Sequence, residues 1–247
     1  MEQPTSPTDL LPPAQIYPLG DAAVVLQLGD TISEATHRTL QALGHSLDHA
    51  TFPGLREYVP AFTTLTVYYD PWVVSQRGQH DPNQVVAEWL FSLLHNLPTA
   101  SASEPQPVVE IPVCYGGRYG PDLALVAEHT GLAPAEVIRL HTEPEYLVYM
   151  IGFAPGFPYL GGMPEQLSTP RKAHPRPLVP AGSVGIAGGQ TGVYSLPTPG
   201  GWQLIGRTPL RLFTPEGASP SLLRAGQRLR FVAITEDTYE HLLTHEQ

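Results

Sequence analysis

The stretch from residue 146 to 162, YLVYMIGFAPGFPYLGG, is the first of several short apolar runs separated by glycine and proline. Similar runs follow at residues 184–187, 204–206, 210–213 and 228–234. This spacing is typical of a small β-barrel or sandwich, because short strands need frequent turns. The 28 prolines and 23 glycines among 247 residues agree with that interpretation and argue against a coiled coil or a helical bundle.

The region before these runs alternates strands and helices in the order β-β-α-β-β-α. Ser33 and Asp81 precede its two helices, as expected of helix-capping residues. Farther along, residues 108–141 hold a strand and two short helices, and Gly131 fits the left-handed position that ends the first helix. We therefore predict a flexible tail at residues 1–13, an α+β domain at 14–97, a linker at 98–107, a β-barrel domain at 108–235 and a C-terminal tail at 236–247.

Composition excludes several classes of function. A net charge of −10 without any run of Lys or Arg makes the chain a poor binder of nucleic acid or anionic membranes. Residues 147–164 are uncharged, but seven of these eighteen residues are glycine or proline, which excludes a lipid-spanning helix. Cys114 is the single cysteine, so an internal disulfide and a cysteine-based zinc site are excluded. No signal peptide is visible, and we expect a cytoplasmic protein.

Local charge gives the first indication of a site. Residues 151–213 contain five basic residues and one acidic residue, a net charge of +4 in an otherwise acidic chain. Arginine forks bind carboxylates and phosphates through two parallel hydrogen bonds, and glycines let backbone amides approach such an anion. The pattern indicates an anion site, and the alternative is that the arginines pair with acids elsewhere in the fold. Lys172 is assigned no special role.

Three motifs near this segment have two interpretations each. The glycine-rich residues 182–192 lack the Gly-Lys-Ser/Thr of a phosphate-binding loop, so a tight β-hairpin is favoured. His141, at the end of a helix, fits a base or ligand anchor as well as a helix-capping or core residue. The apolar loop 153–160 fits a pocket wall or a docking surface, and alternatively the packing of a barrel end.

Five ordered motifs resemble the KipI/allophanate hydrolase subunit 1 family. They are YMIGFAPGFPYLGG at 149–162, PRKAHPR at 170–176, VPAGSV at 179–184, GGQTG at 188–192 and PGGWQLIGRTPLRL at 199–212. The resemblance covers residues 15–235. The sequence departs from the family pattern at Ser195, where proline is usual, and at His174, where threonine is common.

The resemblance implies a small α+β domain of ferredoxin-like type followed by a cyclophilin-like β-barrel. It also implies the B subunit of an ATP-dependent 5-oxoprolinase, which opens the lactam of 5-oxo-L-proline to L-glutamate together with subunits A and C. The complex would use ATP with Mg²⁺, and this chain alone would hold no cofactor and no metal. Two other functions stay open: inhibition of a histidine kinase, as for KipI, and a carboxyltransferase subunit of a urea carboxylase or allophanate hydrolase system.

On this basis we expect the basic segment to supply the site. His141, Arg176 and Arg207 are expected as catalytic residues, because arginines neutralise charge during phosphoryl transfer and histidine acts as a general acid or base. Residues expected to bind the substrate or an anion are Arg171, Gln190, Thr191, Gly152, Phe153, Pro155, Gly156 and Tyr159.

Overall fold

The computed structural model describes residues 14–97, 107–217 and 219–245. The chain divides into two units, Met1–Glu104 and Pro105–Gln247, each with its own hydrophobic core. The division falls inside the predicted linker, residues 98–107. Most of that linker and the whole predicted tail 1–13 lie outside the described residues, so the predicted domain boundaries stay predictions.

The first unit is a four-stranded antiparallel sheet with helices packed against it. Its strands are β1 (Ala14–Pro18), β2 (Ala23–Leu28), β3 (Leu55–Pro60) and β4 (Thr64–Tyr69), in the spatial order β1-β2-β4-β3. Its helices are α1 (Glu34–His49), α2 (Pro71–Val74) and α3 (Pro82–His95).

Local sequence accounts for these elements. The Ser33 hydroxyl accepts a hydrogen bond from the Thr36 N–H at 3.1 Å and caps α1, and the Asp81 carboxylate accepts one from the Asn83 N–H at 2.9 Å and caps α3. Every second residue of β4 is buried, which is the alternation expected of a strand with one face on the core. Both predicted helix starts are confirmed.

The second unit is built around a closed seven-stranded barrel. The strands of the second unit, in the barrel and outside it, are β5 (Val109–Tyr115), β6 (Tyr146–Ile151), β7 (Pro158–Gly161), β8 (Arg176–Val179), β9 (Ser183–Ala187), β10 (Gln190–Val193), β11 (Thr198–Gly200), β12 (Gln203–Arg207) and β13 (Arg228–Ile234). The barrel order is β10-β7-β6-β13-β5-β12-β9, and β8 pairs with β11 in a separate ribbon. The helices are α4 (Leu123–Thr130), α5 (Pro134–Thr142) and α6 (Glu236–His245).

A mixed α/β architecture that includes a closed barrel is confirmed, while the ferredoxin-like and cyclophilin-like details stay predictions. The predicted hairpin at 182–192 is confirmed, since β9 and β10 pair antiparallel across a turn at Gly188. The predicted run at 210–213 forms no strand: Leu212 is buried and Phe213 makes only an isolated bridge to Ser221. Among the described residues, no helix has the length and apolar character needed to cross a membrane.

Candidate functional site

Two clefts lie in the second unit where the predicted site residues are concentrated. The first, here called the arginine cleft, has a volume of about 350 Å³. It is lined by Ala181, Gly182, Ser195, Leu196, Arg207, Thr208, Pro209, Leu210, Arg211, Phe213, Tyr239 and Leu243. The second, the aromatic cleft, measures about 290 Å³. It is lined by Phe153, Phe157, Tyr159, Arg171, Pro175, Tyr194, Pro199, Gly200, Gly201 and Trp202.

The turn before β9 forms one wall of the arginine cleft. Gly182 has φ +80°, and a Cβ placed there would lie 2.3 Å from the Thr208 carbonyl oxygen. The Gly182 carbonyl accepts a hydrogen bond from the Thr208 N–H at 2.9 Å, while the Arg207 Nε donates to the Ala181 carbonyl at 2.8 Å. Only glycine fits this backbone conformation and this close approach. The turn therefore fixes one edge of the Arg207 guanidinium at the cleft.

A cluster of aromatic rings forms the aromatic cleft. Phe157 is 2% exposed, and its ring makes edge-on contacts with those of Tyr159, Tyr194 and Trp202 at centroid separations of 5.0–5.6 Å. Such edge-to-face pairs stabilise an aromatic cluster in a defined geometry. Phe153, by contrast, is 64% exposed and has φ +68°, which is unusual for a residue other than glycine. The loop thus holds an aromatic side chain at the surface on a strained backbone.

Arg171 is the charged residue of the aromatic cleft. Two backbone contacts hold its segment: the Lys172 N–H donates to the Gly201 carbonyl at 2.7 Å, and the Gln203 side-chain amide donates to the Pro170 carbonyl at 2.9 Å. Within residues 14–97, 107–217 and 219–245, Arg171 makes no ion pair. An exposed guanidinium beside aromatic walls suits a small ligand that carries both an anionic and an apolar group.

The buried carboxylate of Asp122 anchors the same segment. Its Oδ1 lies 2.8 Å from Arg176 Nη2 and 3.2 Å from Lys172 Nζ, and its Oδ2 accepts a hydrogen bond from the Leu204 N–H at 2.7 Å. Burial by itself raises the pKa of Asp122, but the hydrogen bonds from Arg176, Leu204 and Lys172 outweigh it, so the pKa lies below its ordinary value. Asp122 therefore stays ionised and ties the basic segment to the barrel.

The sequence alone did not predict this cluster. For Arg176, the alternative that it pairs with an acid elsewhere in the fold is the one observed, and Lys172 does have a partner. The available signal was Asp122 at the start of α4, where an acid normally caps the helix. Its side chain makes no capping hydrogen bond, so it is free to bind the basic segment.

His141 lies in the barrel core. It is fully buried, stacks on Phe231 at a centroid distance of 4.5 Å, and lines neither cleft. Thr191 Oγ1 donates to the Gly185 carbonyl at 3.0 Å, so it accepts from His141 Nε2 at 2.9 Å. The Tyr115 hydroxyl then donates to His141 Nδ1 at 2.8 Å. Burial lowers the pKa of His141 to about 3, and the ring is neutral. The core interpretation, left open by the sequence, is the one that this geometry supports.

The remaining predicted residues surround these features. Thr191 is buried as the partner of His141, and Gln190 precedes it on β10. Gly152, Pro155 and Gly156 shape the loop between β6 and β7, and the Ser195 hydroxyl donates to the Pro155 carbonyl at 2.6 Å. The structure thus brings Arg171, Phe153 and Tyr159 together in one cleft, places Arg207 in the other, and holds Arg176 on Asp122.

In the part of the chain that the structure describes, no group of three or more His, Cys, Asp or Glu side chains is placed so that it could hold a metal ion. The donors that line both clefts are guanidinium, hydroxyl and backbone groups. This donor set fits an anion and not a hard divalent cation, which prefers carboxylate oxygens.

Comparison with known proteins gives consistent results. A model of a protein family described as the carboxyltransferase domain, subdomain C and D, matches residues 14–223. The chain is also 49% identical over 228 residues to the B subunit of the 5-oxoprolinase of Bacillus subtilis (strain 168), and the match covers 91% of this chain and 95% of that relative.

Two solved structures extend the comparison. The crystal structure of TTHA0988 is 43% identical with a TM-score of 0.73, over 86% of this chain and 40% of that one, so this chain spans less than half the length of that protein. The K. lactis urea amidolyase has a TM-score of 0.79 at 16% identity, over 98% of this chain and 16% of that one. At this low identity the second likeness concerns the fold alone.

Proposed function

The chain belongs to the family of carboxyltransferase domains with subdomains C and D, and on that premise we propose that it acts as the B subunit of an ATP-dependent 5-oxoprolinase. One observation carries the proposal: the 49% identity to a 5-oxoprolinase B subunit extends over 91% of this chain and 95% of the relative. In this proposal the chain works with subunits A and C in the cytoplasm, and it is not an autonomous enzyme.

The chemistry suits the residues of the two clefts. A lactam resists hydrolysis because of amide resonance, and phosphorylation of its oxygen by ATP would turn its carbonyl carbon into a good electrophile. One water would add at that carbon, and the ring C–N bond would open as the nitrogen takes up a proton, which leaves an acyl phosphate. A second water would hydrolyse the acyl phosphate to the side-chain carboxylate of glutamate and inorganic phosphate. Phosphoryl transfer depends mainly on positioning and on neutralising charge, so guanidinium groups and backbone amides suffice on this chain.

The proposed roles follow the geometry. Arg171 binds the anionic group of the substrate, while Phe153 and Tyr159 form the apolar walls beside it. Arg207 binds a second anionic group in the arginine cleft. Arg176 acts by positioning, through its ion pair with Asp122.

Other predicted residues take supporting roles in this proposal. Gly152, Pro155 and Gly156 shape the loop that carries Phe153. His141 and its hydrogen-bond partner Thr191 support the barrel from within, and Gln190 lies next to Thr191 on β10. We assign Mg²⁺ to the ATP that enters the complex, since the donors of both clefts suit anions.

Reconstitution tests this function. The purified chain is mixed with cognate subunits A and C, ATP, Mg²⁺ and 5-oxo-L-proline, and the release of L-glutamate and ADP is measured. We expect release only when all three subunits are present. The B subunit from Bacillus subtilis, used in place of this chain, shows that the partners are competent; no glutamate with this chain in that situation would contradict the proposal.

A single substitution tests the role of the aromatic cleft. Arg171→Ala removes an exposed guanidinium without breaking an ion pair of the described chain. We expect kcat/KM for 5-oxo-L-proline to fall by about tenfold or more, the usual effect of losing one charge-assisted hydrogen bond. Arg38→Ala, on the exposed face of α1 in the other unit, is the matched control. Equal kinetics for the two variants would remove Arg171 from the site.

A further inference from the structure

We propose that the arginine cleft binds a small oxyanion, a carboxylate or a phosphate, between the guanidinium groups of Arg207 and Arg211. The proposal deepens the proposed function, on which it rests for the identity of the anion. It adds Arg211, which sequence analysis did not select, and it assigns a ligand class to a cleft separate from the aromatic one.

Charge balance is the first argument. Two arginines line the cleft and none of its lining residues is acidic. Among residues 14–97, 107–217 and 219–245, neither Arg207 nor Arg211 forms an ion pair, in contrast to Arg56, Arg118, Arg139, Arg176 and Arg230. Two uncompensated cations in one cleft give a positive potential that attracts an anion.

Two carboxylates of α6, the helix that contributes Tyr239 to the cleft, are already engaged. Glu236 and Glu240 both pair with Arg118, at 2.5 and 2.8 Å, and Glu240 also accepts a hydrogen bond from the Tyr119 hydroxyl at 2.6 Å. The same helix contributes Tyr239 to the lining of the cleft. Two of the three acids of α6, Glu236 and Glu240, are therefore held by Arg118, while Tyr239 and Leu243 of the same helix line the cleft.

Preorganisation is the second argument. The Nε of Arg207 donates to the Ala181 carbonyl at 2.8 Å, which restrains the guanidinium plane and leaves its terminal nitrogens for a ligand. A guanidinium that is already oriented loses less conformational entropy when it binds.

The walls and size of the cleft fit a compact ligand. Apolar side chains, among them Leu196, Leu210, Phe213 and Leu243, line it beside the arginines, and low-dielectric surroundings strengthen the attraction between a guanidinium and an anion. The volume of about 350 Å³ lies at the small end of the range of ligand sites, about 300–1,000 Å³. A single carboxylate- or phosphate-bearing molecule therefore suits it.

Calorimetric titration of the purified full chain tests the proposal. The probes are inorganic phosphate, L-glutamate and 5-oxo-L-proline, each at low and at high ionic strength. We expect at least one probe to bind, more weakly at high salt. Binding of phosphate alone would identify the phosphate of ATP as the source of the anion, and binding of glutamate or 5-oxoproline alone would identify a carboxylate.

Variants locate the binding. Arg211→Gln is expected to weaken it by about tenfold, because one charge-assisted contact is lost, and Arg211→Lys by less, because the charge is kept without the fork. Arg38→Gln is the control and should match the wild type. The proposal fails if the wild type binds none of the probes, or if Arg211→Gln and Arg38→Gln bind equally. Because no partner subunit is needed, the outcome is independent of glutamate release.

Discussion

Replacing Asp122 by asparagine should destabilise the barrel unit and disorder its basic segment. The substitution keeps the size of the side chain and leaves an oxygen that can accept from the Leu204 N–H. It removes the negative charge that lies 2.8 Å from Arg176 and 3.2 Å from Lys172. Both cations then lose their counterion, while the helix start and the strand contact keep their geometry.

The magnitude follows from burial. Breaking a buried ion pair by removing one partner costs about 3–5 kcal/mol. The Asp122 side chain is 7% exposed, but those of Arg176 and Lys172 are 24% and 25% exposed, so the cations recover part of their hydration. We therefore expect the free energy of unfolding to fall by about 2 kcal/mol, which corresponds to a drop in Tm of about 4–8 °C for a chain of this size.

Circular dichroism during thermal and urea unfolding measures this change. Glu143→Gln is the matched control, because its ion pair with Arg139 is exposed at the C-terminal end of α5, and exposed pairs contribute about 0–1 kcal/mol. A double-mutant cycle with Arg176→Gln should give a coupling energy of about 1 kcal/mol or more between Asp122 and Arg176. A Tm within 1 °C of the wild type (about 0.3 kcal/mol), or an additive cycle, would refute the reasoning.

The pH dependence gives an independent check on the same charge. The pKa of Asp122 lies below its ordinary value of 3.8 in the folded state. Its contribution is therefore present above that value and is lost as the pH falls through the lower folded pKa. The stability difference between the wild type and Asp122→Asn should hold at neutral pH and shrink below about pH 4; a difference that persists there would point to a packing effect.

Two further predictions concern the interior of the barrel unit. The pKa of the buried His141 is lowered from 6.5 to about 3, so between these values the unfolded chain binds a proton at His141 and the folded chain does not. This residue should therefore lower the free energy of unfolding by about 1.4 kcal/mol for each unit by which the pH falls from 6 to 4. His141→Gln should reduce the pH slope by that amount in urea titrations, with the exposed His174→Gln as control, and an unchanged slope would contradict the neutral buried ring. Gly182→Ala should destabilise by several kcal/mol more than Gly131→Ala, since both positions have positive φ but only the Cβ at 182 meets a backbone oxygen, at 2.3 Å; equal Tm values would show that the turn relaxes.

The sequence predicted those elements whose defining contacts join residues close together in the chain. Helix α1 begins where Ser33 accepts from the Thr36 N–H, and the hairpin at 182–192 turns at Gly188, which has φ +56°. In both cases the residues that form the structure are close in the chain. The short strands β8 and β11 lacked such a signal, because each contains proline and little alternation of apolar residues.

The site was harder to predict because its decisive contacts are long-range. Asp122 and Arg176 lie 54 residues apart, and His141 and Thr191 lie 50 apart. The local net charge identified the basic segment. It could not distinguish an arginine that pairs with a buried acid from an arginine that has no such partner. Likewise, the position of His141 at a helix end indicated two roles, and its complete burial against Phe231, with hydrogen bonds to Thr191 and Tyr115, favours the core.

Four of the residues that the sequence grouped into one site line two different clefts: Phe153, Tyr159 and Arg171 line the aromatic cleft, and Arg207 lines the arginine cleft. Tyr194 lines the aromatic cleft and Ser195, the next residue, lines the arginine cleft and holds the Pro155 carbonyl at 2.6 Å. On the other side of that loop, a Cβ at Gly156 would lie 2.8 Å from Phe213, itself a lining residue of the arginine cleft. The loop that carries the exposed Phe153 can pack this closely only because residue 156 has no side chain. Gly156 thus lets the loop that carries Phe153 pack directly against Phe213, a lining residue of the arginine cleft.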